Sequence, residues 1–329
     1  METEETHQWN QNQIDLSKIS ESVQKIKHEI RKVVVGQDKM IDLIIVALIT
    51  EGHVLLEGVP GIAKTLTAKL VSKTISTKFS RIQFTPDLMP ADVVGVSIFN
   101  QKTAEFSFKQ GPIFSNLVLI DEINRSPAKT QAALFEVMEE QQVTVDGITY
   151  KMSVPFFVIA TQNPIEQEGT YKLPEAQLDR FLFRIKMDYP SLNEEMEILQ
   201  KFNTNFLNST ISQVEAIMTP EDLKLCRDIS AKIHVKTELL QYIAQIVHNT
   251  RNNGDLFLGA SPRASLSIMR ASKALAAING RDFVTPDDIQ FIAYPVLNHR
   301  IIVSPDREME GKTPEDIIKE IIQSVEVPR

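Results

Sequence analysis

Residues 53 to 75 constrain the fold more than any other stretch of this sequence. The run His53-Val54-Leu55-Leu56-Glu57 reads as a strand, breaks into Gly58-Val59-Pro60-Gly61-Ile62-Ala63-Lys64-Thr65, and resumes as a helical pattern to about Ile75 with Leu66 and Leu70 inward. A strand that hands over to a helix through a glycine-rich turn is the basic unit of a parallel α/β sheet. Such a turn presents backbone N–H groups and a helix N-terminus, which together cradle phosphate. Lys64 would reach the β- and γ-phosphates and the Thr65 hydroxyl would ligate Mg²⁺. Ala63 stands where the usual pattern of such a loop has glycine before the lysine; a methyl group leaves every backbone donor in place.

Two further runs, Leu117-Val118-Leu119-Ile120 and Phe156-Phe157-Val158-Ile159-Ala160, are apolar without alternation and read as central strands covered on both faces. The first ends in Asp121-Glu122. Carboxylates at the carboxyl end of the sheet lie beside the phosphates, Asp121 suited to hold Mg²⁺ and Glu122 to orient and polarise an attacking water. The second continues into Thr161-Gln162-Asn163-Pro164, where Asn163 can reach the γ-phosphate or that water. Alone, either ending is ambiguous: many strands end in acids, and Asn-Pro often starts a turn. Together with the phosphate loop, in chain order, the three endings reinforce one another.

Between these strands lie two expected insertions. One spans about Phe84 to Phe108, with Gly95 and the alternating Phe106-Ser107-Phe108; the other, Gln142 to Met152, turns at Asp146-Gly147 and reads as a hairpin. Upstream, helical patterns run from Leu16 to about Val34 and again from Gly36 through Met40, Leu43, Ile44 and Leu48. A last sheet strand is expected over Phe181 to Met187. After Asp188-Tyr189-Pro190 only helical periodicity remains, as in the stripes Leu239, Leu240, Ile243, Ile246, Val247 and Ala264, Ile268, Ala271, Leu275, Ile278. Thr285-Pro286-Asp287-Asp288 and Thr313-Pro314-Glu315-Asp316 read as helix starts. The expected organisation is a mobile polar tail over 1–17, an α/β nucleotide-binding domain over 18–189 and an all-helical lid over 190–329.

Five ordered motifs resemble the AAA+ superfamily from about residue 19 to 329, and the MoxR family in particular: Gly58 to Thr65, Asp121-Glu122-Ile123-Asn124-Arg125, Ala160 to Pro164, Leu173-Pro174-Glu175-Ala176-Gln177-Leu178-Asp179-Arg180-Phe181, and Gly259-Ala260-Ser261-Pro262-Arg263. The resemblance implies ATP and Mg²⁺ as cofactors, contacted by Val35 and Gly36 at the adenine and by Gly58, Val59, Pro60, Gly61, Ile62, Ala63, Lys64, Thr65, Leu66 and Asp121, with Thr65 and Asp121 serving the metal. It implies Asn163 as first sensor, Arg180 as arginine finger toward a neighbour's nucleotide, Arg263 as second sensor on the lid, and a helix-2 insert near Phe84 to Phe108. Chemistry supports two arginines independently, because a transferring phosphoryl group bears spread negative charge that a guanidinium stabilises. The bland alternatives are a surface ion pair for Arg180, with Asp179 or Glu175 nearby, and a solvated helix-terminal residue for Arg263.

The implied function is a ring-forming, hexameric ATPase that remodels or activates a partner protein, often one bearing a von Willebrand factor A domain. Two rivals are a nucleic-acid motor and a nucleotide-gated switch without turnover. A net charge of −8 gives no general attraction to phosphate backbones, and a pure binder has no use for Asn163, Arg180 and Arg263 together. Cys226 is the one cysteine, so neither an internal disulfide nor a cysteine metal cluster is expected; it reads as a lid-helix packing residue, and His53 and His299 lack ligand-spaced companions. With no apolar block long enough to span a bilayer and no basic, apolar leader, a cytoplasmic protein without membrane insertion is expected.

Overall fold

The computed structural model describes residues 16–59, 61–102, 104–164, 169–204 and 211–328, so most of the expected tail lies outside the described residues. In chain order the strands as far as residue 186 are β1 (His53–Glu57), β2 (Phe79–Gln83), β3 (Gly95–Asn100), β4 (Glu105–Gln110), β5 (Leu117–Asp121), β6 (Gln142–Val145), β7 (Ile148–Lys151), β8 (Phe157–Gln162) and β9 (Phe181–Lys186). The helices that position them are α1 (Ser17–Arg31), α2 (Asp38–Ile49), α3 (Lys64–Thr74), α4 (Pro90–Val94), α5 (Ala128–Glu140), α6 (Glu175–Leu178) and α7 (Leu192–Thr204).

Five strands make one parallel sheet in the order β2-β5-β8-β1-β9. The period of two along each strand divides the core in two. Val54, Leu56, Leu117 and Leu119 face the layer that includes Ile26 and Ile30 of α1, Ile44 of α2 and Leu70 of α3; Leu55, Val118 and Ile120 face Leu134, Phe135 and Met138 of α5. Burial on both faces explains why β1 and β5 carry no alternation. The edge strand β2 went unread in the sequence because only Ile82 of Phe79-Ser80-Arg81-Ile82-Gln83 is buried.

Both insertions are present. Asp146 and Gly147 have φ values of 50° and 77°, the two positive angles of a type I′ turn, and they close β6 on β7. The hairpin β3–β4 lies against this one: the Phe108 and Tyr150 rings are 4.5 Å apart, and the Ser97 hydroxyl is hydrogen-bonded to the Asp146 carboxylate. Beyond β9 the chain is chiefly helical. Thr285 and Thr313 each accept a bond from the backbone N–H three residues on, whose Asp side chain bonds back, and Thr219 forms a third such box with Asp222. The periodicity gave no sign of one short antiparallel pair among these helices, Leu256–Leu258 with Ile302–Val303. Cys226 is buried in the helix Pro220–Ala231, and burial pushes its thiol up to about 11. No helix among the described residues is long and apolar enough to cross a membrane.

His53 is a structural histidine. The Val158 N–H donates to Nδ1 at 3.1 Å, so the ring proton sits on Nε2, which faces the Met138 carbonyl at 3.2 Å. Burial lowers its pKa to about 4. An unfolded histidine takes up a proton near pH 6.5, whereas the folded one stays neutral to about 4, so this site's stability is full above pH 6.5 and is lost as pH falls through that window. We expect about 2 kcal/mol of loss between pH 7 and pH 5 from this group. Urea midpoints at the two pH values check it, and His53→Gln should flatten the slope; an unchanged slope would remove His53 as its source.

Candidate functional site

The turn after β1 is shaped by two backbone requirements. Gly61 has φ +88°, and a Cβ on Gly58 would sit 2.5 Å from Ile62 Cδ1 and 3.0 Å from the Met187 carbonyl. Ile62 is buried, Val59 and Leu66 pack on the core beneath, and Pro60 lies outside the described residues. The apolar members of the loop therefore anchor it, while the first N–H groups of α3 have no intrahelical partner and no side-chain cap. Lys64 folds across the loop, its Nζ donating to the Gly58 carbonyl at 2.6 Å.

Ala63 is the helix cap and sits in the left-handed region at φ 61°, ψ 19°. An L-residue there is strained by roughly 1–2 kcal/mol, which glycine avoids at the cost of greater freedom in the unfolded chain. Ala63→Gly should therefore raise stability by up to about 1 kcal/mol and leave nucleotide affinity unchanged. Thermal melts and a binding titration check this, and a loss above about 1 kcal/mol would contradict the strain argument.

The carboxyl ends of three adjacent strands converge beside this loop, since Glu57 of β1 pairs with Gln162 of β8 and Ile120 of β5 with Ala160. Asp121 is buried; its carboxylate accepts from the Thr65 hydroxyl at 3.3 Å, the Thr161 hydroxyl at 2.9 Å and Arg81 Nε at 2.7 Å. Glu122 occupies the left-handed region at φ 57°, with its N–H held by Thr161 Oγ1 at 3.0 Å. Its carboxylate accepts from Gln83 Nε2 at 2.8 Å and pairs with Arg125 at 3.0 Å. Asn163 is buried just past the end of β8. Thr65 and Asp121 are hard oxygen donors already in contact, a donor set that suits Mg²⁺. The turn between α1 and α2 borders the same end of the sheet: Gly36, at φ +74°, lies against Glu194 of α7, and Gly58 lies against Met187, so both meet the segment that follows β9.

Arg180 and Arg263 are elsewhere. Arg180 precedes Phe181, which pairs with His53 at the start of β1, whereas the phosphate loop follows Glu57 at its end. That separation is about 13 Å along the strand alone. Arg180 donates to the Phe135 carbonyl at 2.7 Å and pairs with Glu139, both of α5, and not with the neighbouring Asp179 or Glu175 the sequence suggests. Arg263 lies 3.5 Å from Asp179 and 3.6 Å from Glu139. Arg300 is buried, its guanidinium 2.6 Å from Asp179 and bonded to the Phe181 and Val296 carbonyls; burial depresses its pKa and Asp179 opposes the shift. Together with Arg270 these groups line a cavity of about 430 Å³.

The expected residues thus form two groups at opposite ends of the sheet. Sequence reading missed four that complete them: Arg81 and Thr161 at Asp121, and Glu139 and Arg300 at the arginines. Thr161 stood inside a recognised motif; the other three are brought in from separate elements and carry no local signal.

Residues 53–183 match the family model described as the ATPase family associated with various cellular activities (AAA), and residues 248–321 match that of the AAA lid domain. The uncharacterised protein YeaC of Bacillus subtilis (strain 168) is 47% identical over 304 residues, 92% of this chain and 94% of that one. Chaperone MoxR1 of Mycobacterium tuberculosis is 44% identical over 310 residues, covering 92% and 81%. A candidate ATPase from Cytophaga hutchinsonii, solved as a crystal structure, superposes with a TM-score of 0.86 at 43% identity, covering 95% of this chain and 98% of that chain.

Proposed function

The chain belongs to the MoxR family of AAA ATPases, and from that premise we propose that it binds and hydrolyses ATP with Mg²⁺ in a hexameric ring of identical subunits, using the cycle to remodel or activate a partner protein. Bound Mg-ATP would supply the phosphoanhydride bond that is cleaved. In this reading the loop Gly58–Thr65 with Leu66 holds the phosphates, Val35 and Gly36 border the base, and Thr65 and Asp121 hold the metal. Glu122 takes a proton from water, and Asn163 orients that water.

One observation carries the ring: the two arginines best suited to a transferring phosphoryl group sit at the opposite end of the sheet from their own phosphate loop. A guanidinium that cannot reach its own nucleotide is useful to the next subunit's, and head-to-tail repetition of that contact closes a ring. Arg263 shares the cavity with Arg180, so in this reading both act on the neighbour. The partner protein is supported by the relative named Chaperone MoxR1, and a von Willebrand factor A domain protein is the partner expected. The domains are proposed to divide near residue 189, where β9 has ended and α7 is about to begin.

The test is turnover and mass together: purified protein should hydrolyse ATP, stop on removal of Mg²⁺ by chelation, and sediment as a hexamer when ATP is present. Turnover by a species that stays monomeric at every concentration would refute the ring.

A further inference from the structure

Helix α7 is amphipathic in the wrong sense for a lone subunit. Its inward side holds Glu194 against Gly36 and Lys201, whose Nζ donates to the Arg31 carbonyl at 2.9 Å. Its outward side presents Leu192, Met196 and Leu199 at helical spacing, 77%, 53% and 66% exposed. An exposed apolar row of that kind marks an interaction surface. The row begins beside the phosphate loop, since the segment 187–194 touches both Gly58 and Gly36.

At the far end of the sheet a second helix offers the complement. Pro262–Ile278 carries Arg263, Arg270 and Lys273 and no acid, and its exposed ridge runs Arg263, Leu266, Arg270, with Leu266 52% exposed. On α7, Glu194 and Lys201 turn inward and Glu197 pairs with Lys201, which leaves Glu195 flanking the apolar row. Each ridge is about 10 Å long, at 1.5 Å per residue. One is apolar with Glu195 beside it and the other is a leucine between cations. The two lie by opposite ends of the sheet in one chain, and a head-to-tail arrangement brings them together.

We infer that the outward stripe of α7 is the docking surface for a second copy of this chain, which covers it with the Arg263–Leu266–Arg270 ridge. The inference rests on the ring proposed above and names the surface that forms it. Docking there carries the arginine-lined cavity of one subunit toward the phosphate loop of the next, so assembly and completion of the site become one event.

The test is a charge swap at two exposed apolar positions, Met196 and Leu266. Met196→Lys sets a cation against the partner's arginines, and Leu266→Glu sets an acid against the apolar row and Glu195 of the partner subunit. Each should raise the protein concentration needed for ATP-dependent assembly by roughly 10-fold or more, and the double variant should bring it back to within roughly 3-fold of wild type. Sedimentation velocity with Mg-ATP reads this, and binding of a fluorescent ATP analogue to each variant verifies the fold. Single variants that assemble like wild type would overturn the inference while leaving the ring in place. So would a double variant as poor as the singles, which would mean the two surfaces do not meet. A wild-type protein that never assembles overturns the ring itself and this inference with it.

Discussion

Glu122→Gln should bind ATP with wild-type affinity and hydrolyse it at least roughly 100-fold more slowly, the lower range for loss of a general base. The expectation follows from how separately the structure holds the two adjacent acids. Asp121 is fixed by Thr65, Thr161 and Arg81, and none of these contacts involves the Glu122 side chain. The backbone of Glu122 is held through its own N–H by Thr161, so an amide side chain leaves the left-handed turn in place. Gln83 and Arg125 meet the carboxylate as donors, and the amide keeps one acceptor oxygen for them. What disappears is the capacity to accept a proton from water. Steady-state turnover beside an equilibrium binding titration separates the two quantities. Wild-type turnover would remove Glu122 from the proposed mechanism, and loss of binding would mean that its role is structural. The same variant, held with ATP, is the bait with which to capture a partner protein.

The parts of this molecule legible in its sequence are those in which neighbouring residues carry the signal. Consecutive apolar residues in β1, β5 and β8 report burial on both faces, and Asp146-Gly147 reports a turn whose two positive φ angles few other pairs adopt readily. The phosphate loop, the paired acids and the amide are each a short string at a strand end, so their convergence follows once the sheet is parallel. What stays hidden is set by distant parts of the chain. Arg81 meets Asp121 only because β2 pairs with β5, and the weakly patterned Phe79–Gln83 does not announce itself as an edge strand. Glu139 meets Arg180 only because α5 lies beside the start of β9. Arg263 was readable as an arginine at a helix start; its place beside Arg180 was not, because it depends on how the helices after β9 dock against the sheet.

Arg180→Ala should keep ATP binding and lose most hydrolysis, by roughly 100-fold or more on the scale of other arginine fingers. Binding survives because Arg180 stands at the start of β9, beside the end of β1 farthest from the phosphate loop, and its contacts are to Phe135 and Glu139. Those contacts also give it a packing role, so the loss must be separated from a general loosening of α5. Thermal melting within about 2 °C of wild type meets that requirement, given the few degrees that about 1 kcal/mol moves a chain of this size. The decisive observation uses two inactive proteins. Lys64→Ala has an intact Arg180 and a disabled phosphate loop; Arg180→Ala has the reverse. Mixed one to one and allowed to exchange, about a quarter of the interfaces in a head-to-tail ring place an intact loop against an intact arginine. Activity should therefore return in the mixture to a sizeable fraction of that quarter, although neither component turns over alone. An arginine serving its own subunit could not give this result, because no chain in the mixture carries both intact residues. A mixture that stays inactive, with exchange verified by differently tagged subunits, would return Arg180 to a structural ion pair with Glu139.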